Sequence, residues 1–571
     1  MILPALSCFS RREKGEIMEE KKNESSALEK SGVSSEAKPA FRTLSYLEYQ
    51  SLSKSERRHY KFQKGLRSFG KGFLNFFKAI GLFFVKLVLG LRHLGEDLCY
   101  AFRHGDIWTR LSFLLPGTSF LARKQIGKGI LYLGVTAAFI CYMVFFGGGA
   151  ISSFATLGNV QTRYFCSNDG ATIAPGYEDI VFLDESTANI YCADQAGASS
   201  LVSIWGDNSS LILLYGLLTY IFIFLFVIFY FKSIMKAIDA QEAYEAGQHL
   251  PTMFEDFQSL VGSRFHLLLL TLPVLGVVIF TIIPIMDTIL VAFTNDNVNH
   301  QYPANLFTWV GFTNFANLFA GTNSNFSYTF IHILGWTLIW AVFATFLNFF
   351  LGMVIAMLIN RKGIKLKKLW RTLFVLSIAV PQFVSLMTWN KFVSEGGLIE
   401  QILKTFGWME AGTHLTVLTD PTSARIAVIL INVWVGIPYT ILSTTGILLN
   451  VPSDLYESAS IDGAGPARQY FKITLPYVLF VMGPSLITQF IGNINNFNVI
   501  YFLTGGAPST NDYLSAGKTD LLVTWLYKLT VNETNYAYAS VIGIMIFVIS
   551  AIFSLIAYRF SSANKNEEDF A

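Results

Sequence analysis

Charge is scarce in this chain. Only 14% of its 571 residues are Asp, Glu, Lys or Arg, against roughly 25% in an ordinary soluble domain. A net charge of +3 says little about such a chain, because what matters is where Lys and Arg lie, and no nucleic-acid partner is predicted. The five cysteines show no metal-ligand spacing, and the eight histidines form no metal or nucleophile constellation with a carboxylate partner. No metal site and no catalytic site is therefore predicted. A phosphate loop is also lacking. GLRSFGKG at 65–72 imitates one, but no Ser or Thr follows Lys71 and no strand precedes it. The apolar stretch at 1–8 lacks a basic n-region and is too short for a signal peptide.

What the chain has is apolar length. It is 52% hydrophobic and 15% aromatic. Uncharged runs of about 18 residues or more cross a bilayer as helices, because only backbone that hydrogen-bonds to itself survives in hydrocarbon. Eight such runs occur, at 129–146, 211–231, 265–286, 329–358, 373–390, 426–449, 478–503 and 538–558. The fold class this implies is an all-α polytopic membrane protein of about eight transmembrane helices.

Orientation follows from where the basic residues fall. Arg361, Lys362, Lys365, Lys367, Lys368 and Arg371 crowd one short loop, whereas 150–210 holds only Arg163. The first loop is predicted inside and the second outside, which puts both termini and the 454–476 segment in the cytoplasm. The Lys-, Glu- and Ser-rich stretch 1–64 buries too little apolar surface to fold and reads as a disordered cytoplasmic tail. Residues 65–128 read as interfacial amphipathic helices, with a ninth span at 66–94 as the competing reading. Residues 129–231 hold the first two spans and the outer loop 147–210, residues 265–558 the remaining six, and 559–571 a cytoplasmic tail. Cys166 and Cys192 share the outer loop, where oxidation is possible, and a bridge between them is expected, with two free thiols as the alternative.

The segment 454–476, DLYESASIDGAGPARQYFKITLP, is polar and turn-bearing between apolar runs. Asp454 is positioned to cap a first short helix with Glu457 three residues on. Gly463 and Gly465 permit a reversal, Pro466 opens a second helix, and Pro476 begins the next span. Such a knuckle suits docking into another protein, with Glu457, Asp462, Arg468 and Lys472 at its rim; a tight loop with no partner fits the residues equally. In the later spans, Asn432 and Gly436 lie on one face, Pro438 is expected to weaken the helix beside them, and Asn493, Asn495, Asn496 and Asn498 crowd the seventh run. Amides in a membrane serve as interhelical ties or as donors and acceptors for sugar hydroxyls.

Glu457, Ala459, Asp462, Gly463, Ala464, Ile473, Leu475 and Pro476 stand at the spacing of the EAA loop that marks permease subunits of ABC importers; only Ser458 departs from it. DPTSAR at 420–425, NVWVGIPY at 432–439, NNFNVIYFLTGGAP at 495–508 and TDLLVTWLYKLT at 519–530 are similar to the larger permease subunit of maltose-type importers, a resemblance covering about 265–558. It implies a type I ABC importer permease fold importing oligosaccharides of the maltodextrin type across a bacterial plasma membrane. It implies ATPase-coupling contacts at Glu457, Ala459, Asp462, Gly463 and Ala464, and sugar contacts at Asn432, Gly436, Asn493 and Asn496, with Gln489 beside them. It further implies a second homologous permease, two ATPase subunits that use the ATP, and an extracellular sugar-binding protein. The chain itself needs no cofactor. Gly492 stands where the maltose-type subunit carries an aromatic, which removes a stacking surface. The large insertion before the fourth span of the enteric form is absent, as in Gram-positive permeases whose binding proteins are lipid-anchored. The alternative is an ion-coupled secondary sugar transporter. It favours ionisable groups at mid-membrane, and the spans offer almost none, with Asp287 near an outer end.

Overall fold

In the computed structural model the structure describes residues 53, 56, 81, 82, 85, 86, 89, 90, 92 and 94–560, except 176, 197–199, 302–304, 322–323, 362 and 411. The predicted tail at 1–64, most of the 66–94 stretch, and 561–571 lie outside the described residues. The protein is a polytopic helical one. Among the described residues, seven helices are long and apolar enough to cross a membrane, and an eighth span results if one bent pair counts as a single crossing.

The elements run in order: α1 Ile126–Phe154; the antiparallel strands β1 Arg163–Ser167 and β2 Ser200–Ile204; α2 Ser209–Glu245; α3 Met253–Val261; α4 Phe265–Val291; α5 Asn325–Asn360; α6 Lys367–Ile378; α7 Gln382–Val393; α8 Leu398–Thr405; α9 Pro421–Leu448; α10 Ser453–Ile461; α11 Pro466–Ile494; α12 Phe497–Leu503; α13 Leu522–Val531; α14 Tyr536–Phe560. The chain divides into two compact units, 1–149 with 219–275, and 150–218 with 276–571. The outer loop thus groups with the later spans, together with the end of α1 and the first turns of α2.

Two expectations change. The fifth apolar run is not one straight span: the chain breaks at Ala379–Pro381 between α6 and α7 and turns by 88°. Pro381 cannot donate to a helical ladder and pushes the residue before it out of the helical region, so the break falls there. The seventh run is interrupted as well, with α11 ending at Ile494 and a separate short helix starting at Phe497. Conversely, Pro438 sits inside α9 without ending it.

Helix ends follow capping chemistry. The Asp420 carboxylate accepts from the backbone N–H groups of Thr422 (3.1 Å) and Ser423 (2.8 Å), and Pro421 occupies the first turn of α9. At the end of α5, Lys367 Nζ donates to the Asn360 carbonyl at 3.2 Å, and an Arg371 Nη donates to the Asn360 side chain. Part of the basic loop thereby neutralises the negative end of the longest helix in its unit.

Within the second unit α5 is the axis. Phe326, Phe330 and Ile333 pack with Trp525, Val541 and Ile542; Trp336 and Trp340 pack with Val428, Val499 and Leu503; Phe349 and Met353 pack with Val478 and Met482. Lipid tails are as apolar as these side chains, so helices associate through close fit and polar ties. The fit is tight: a Cβ on Gly352 of α5 would lie 2.6 Å from Thr440 Cβ of α9, and one on Gly436 of α9 would lie 2.5 Å from Asn348 Nδ2 of α5. Both contacts advance by four residues in the same direction, so α5 and α9 run parallel.

The outer loop is a small folded cap. Its two strands pair Arg163 with Ile204 and Ser167 with Ser200, and Cys166 is joined to Cys192 with Cα atoms 5.3 Å apart. Its base is fixed to the unit through Trp309, whose indole N–H donates to the Phe154 carbonyl at 3.0 Å, and through Leu157, Leu213 and Phe307, all buried together.

Candidate functional site

The expected sugar contacts converge on two turns of α5. Thr345 and Asn348 lie three residues apart and therefore on one face. The Asn493 amide Nδ2 donates to Thr345 Oγ1 at 2.9 Å, and the Trp340 indole N–H, one turn earlier, donates to the Asn493 carbonyl at 3.0 Å. Asn348 meets Gly436. Thus α9 and α11 bring their candidate residues to the same level of α5. Asn496 caps α12, its Oδ1 accepting from Val499 N–H at 3.2 Å while its Nδ2 faces Asn493 Oδ1 at 3.4 Å. Gln489 is half-buried one turn before Asn493.

Asn432 is 5% exposed and its Nδ2 has no hydrogen-bond partner; Asn348 is 9% exposed, and its Oδ1 has none either, although its Nδ2 donates to the Ala344 carbonyl at 2.8 Å. A buried amide donor and a buried amide acceptor are therefore left open on the facing surfaces of α5 and α9. Unmet groups of this kind are costly in a low-dielectric interior, and a hydroxyl, which both donates and accepts, would satisfy them. Thr345, Trp340 and Asn348 were missed in the sequence reading. Asn348 was findable as a lone amide within an apolar run; Thr345 and Trp340 carried no signal of their own, because their role depends on which helix they meet.

None of Asn432, Gly436, Gln489, Asn493 or Asn496 lines the larger cavities described. One, of about 420 Å³, lies between α6, α7 and the other face of α9 and is walled by Trp370, Trp434 and Tyr439. Another, of about 670 Å³, is walled by α4, α13 and α14 and contains Asp287, Asp296 and Ser540. Burial pushes the Asp296 carboxyl up to about 7, with the Asp287 charge adding to the rise and a hydrogen bond from Gln301 opposing it. On the α8 segment, Glu400 is 2% exposed and acts as a clasp. Its carboxylate takes Lys404 Nζ at 2.6 Å and the backbone N–H groups of Gly396 and Leu415 at 2.9 Å each.

The 453–476 turn is rigid by construction. The first helix starts at Ser453, so Pro452 takes the cap position and Asp454 falls inside the first turn, where its charge favours the helix dipole. The expected Asp454 cap is therefore absent. At the other end Gly463 adopts φ +75°, its N–H donates to Ser460 O at 3.1 Å, and the Ala464 N–H donates to Ala459 O at 2.8 Å. This is the paired closure that a left-handed residue allows. Gly465 is extended, and Pro466 opens α11. Pro476 does not begin a span, because α11 runs through it; a π-turn at Tyr470–Thr474 widens the ladder just before the proline ring would crowd a carbonyl. Gln469 Nε2 donates to Ser460 Oγ at 2.9 Å and the Ala464 carbonyl at 3.1 Å, and Tyr456 and Thr474 share a 2.9 Å hydroxyl bond. Glu457, Asp462 and Gly463 remain exposed, while Ala459 and Ala464 are half-buried.

Residues 348–565 match the family model described as the binding-protein-dependent transport system inner membrane component. The maltodextrin transport system permease protein MdxF of Bacillus subtilis is 32% identical over 461 residues, 80% of this chain and 95% of that protein. The maltodextrin transport system permease protein MalC of Streptococcus pneumoniae is 31% identical, covering 78% of this chain and 94% of its own length. The galactooligosaccharides transport system permease protein GanP of B. subtilis is 35% identical over 63% of this chain and 85% of itself. A near-full-length match to MdxF, the family model over 348–565 and spans of the right length agree: the chain belongs to the family of inner-membrane permease components of binding-protein-dependent transport systems.

Proposed function

We propose that this chain forms one half of the pathway by which an ATP-driven importer carries maltodextrin-type oligosaccharides into a bacterial cell. The observation that carries the cargo is the match with MdxF over 95% of that protein's length. The open amide groups of Asn432 and Asn348, at the level where Asn493 meets Thr345, support a hydroxyl-rich ligand. Asn432, Gly436, Gln489, Asn493 and Asn496 form this chain's share of the sugar site. A second, homologous permease supplies the facing wall.

The exposed rim at Glu457, Asp462 and Gly463, with Ala459 and Ala464 beneath it, docks on an ATPase subunit. Two such subunits hydrolyse the ATP, and the chain itself binds no cofactor. A lipid-anchored sugar-binding protein delivers cargo to the outer side, where the 150–218 cap is rooted. Both termini and the 453–476 turn face the cytoplasm, in keeping with the basic residues between α5 and α6.

Uptake of a labelled oligosaccharide panel by cells with and without this chain tests the reading. ATP-dependent maltodextrin uptake should vanish with the chain. Loss of galactooligosaccharide uptake alone would move the cargo towards that of GanP. Uptake that survives ATP depletion and fails on collapse of the proton gradient would overturn the importer.

A further inference from the structure

Between α2 and α4 the sequence reading assigned nothing. The structure places there a nine-residue amphipathic helix, α3. It is closed at its start by a capping box, with the Thr252 N–H donating to Glu255 Oε2 at 2.7 Å and the Glu255 N–H to Thr252 Oγ1 at 3.3 Å. Met253, Phe257 and Val261 follow at intervals of four and share a face with Phe254. That face is open: Phe254 is 75% exposed, Phe257 60% and Val261 51%.

The helix is held at a defined height by its other contacts, all at the first turn of α1. Lys128 Nζ pairs with Asp256 Oδ2 at 2.6 Å, Gln125 Nε2 donates to the Pro251 carbonyl at 2.8 Å, and a Cβ on Gly127 would lie 3.2 Å from Met253 Cβ. Three residues separate Val261 from α4, whose Leu267, Leu268, Leu269 and Leu270 are all at least 44% exposed. The open face of α3 is therefore continuous with the apolar surface of a membrane span and level with the end of another. Nine residues rise only about 14 Å, too short to cross, and Glu255 and Asp256 bar deep burial.

We propose that α3 is an interfacial helix that seats Phe254, Phe257 and Val261 among the acyl chains at the boundary of the bilayer, with lipid as its partner. Tethering by Lys128–Asp256 and by α4 means that the helix needs little intrinsic affinity. Large apolar side chains on one face and acids on the other suit that position. The assignment holds for either leaflet.

Single replacement by p-benzoylphenylalanine at Phe254, Phe257 or Ser259, in the full chain in its native membrane, tests it. On irradiation, intact mass should show phospholipid adducts at 254 and 257 about fivefold above those at 259, which faces away from the apolar side. Equal lipid labelling at 259, adducts to another protein at 254 and 257, or no adduct at either position would each overturn the proposal. Because each aromatic position receives another aromatic, loss of fold does not mimic these outcomes. Failure of oligosaccharide uptake in the panel above would leave the lipid assignment intact.

Discussion

The side-chain amide of Asn493 is tied to the hydroxyl of Thr345 at 2.9 Å, so a residue of α11 is oriented by a residue of α5. Thr345 is 1% exposed, and removing its hydroxyl leaves a shielded amide N–H without its acceptor. Thr345→Val should raise the KM for oligosaccharide uptake about threefold to tenfold, the range expected for roughly 1 kcal/mol. Thr345→Ser, which restores the acceptor, should transport normally. Initial uptake rates at matched membrane abundance check this, and an unchanged KM in the valine variant would remove Thr345 from the site.

The seam between α5 and α9 offers a second test. A methyl group at Gly436 would lie 2.5 Å from Asn348 Nδ2, a distance no side chain tolerates without moving. Gly436→Ala should destabilise the purified chain by about 1–3 kcal/mol, as overpacked sites do. Asn348→Ala in the same chain should return much of that loss, because it removes the clashing atoms. A double-mutant cycle on thermal unfolding in detergent reads the coupling; additive effects would show that the two residues do not meet.

At the 453–476 turn, the φ of +75° at Gly463 favours glycine, while nothing lies within 4 Å of the place a side chain would occupy. Gly463→Ala should therefore cost about 1 kcal/mol of backbone strain and leave transport measurable. Gly463→Asp adds a charge to the docking rim, as Glu457→Lys reverses one, and both should abolish uptake with the chain still inserted. Immunoblots of membranes beside uptake assays separate the cases. Full uptake in both charge variants would detach this turn from ATPase coupling.

Asp296 predicts a pH trend. Its carboxyl is pushed up to about 7 in the folded protein, so the fold binds this proton more tightly than the unfolded chain, where an aspartate titrates near 4. Stability from this group is full at about pH 4 and declines as pH rises towards 7. Asp296→Asn should flatten that slope in melting temperature measured from pH 4 to 8, while an unchanged slope would assign it to other groups.

Much of the fold was legible because hydrocarbon leaves so few choices: the long apolar runs became α1, α2, α4, α5, α9, α11 and α14. Where the reading failed, a local chemistry outweighed composition. Pro381 splits the fifth run, a π-turn lets α11 pass through Pro476, and Pro452 displaces Asp454 from its cap. Amides were legible as candidates, since polar groups in such runs are rare. Their partners were not, because Thr345 and Trp340 become meaningful only when α11 is laid beside α5, a pairing 148 residues apart in sequence for Asn493 and Thr345. The α3 helix escaped for a different reason: nine amphipathic residues are too short a window to stand out beside spans of 22 to 37 residues.

The unbroken course of α11 has a mechanical consequence. From Pro466 to Asn493 a straight helix extends about 40 Å at ~1.5 Å per residue. One end is clasped to the turn by Gln469 and by the Tyr456–Thr474 bond, and the other carries the amide held by Thr345. A rod of that length, held rigid, would turn a tilt of roughly 5° at the turn into a displacement of about 3.5 Å at the amide, larger than the length of a hydrogen bond. A small rotation at one end would then be enough to part Asn493 from Thr345 at the other, unless the helix bends at its π-turn or at Pro484.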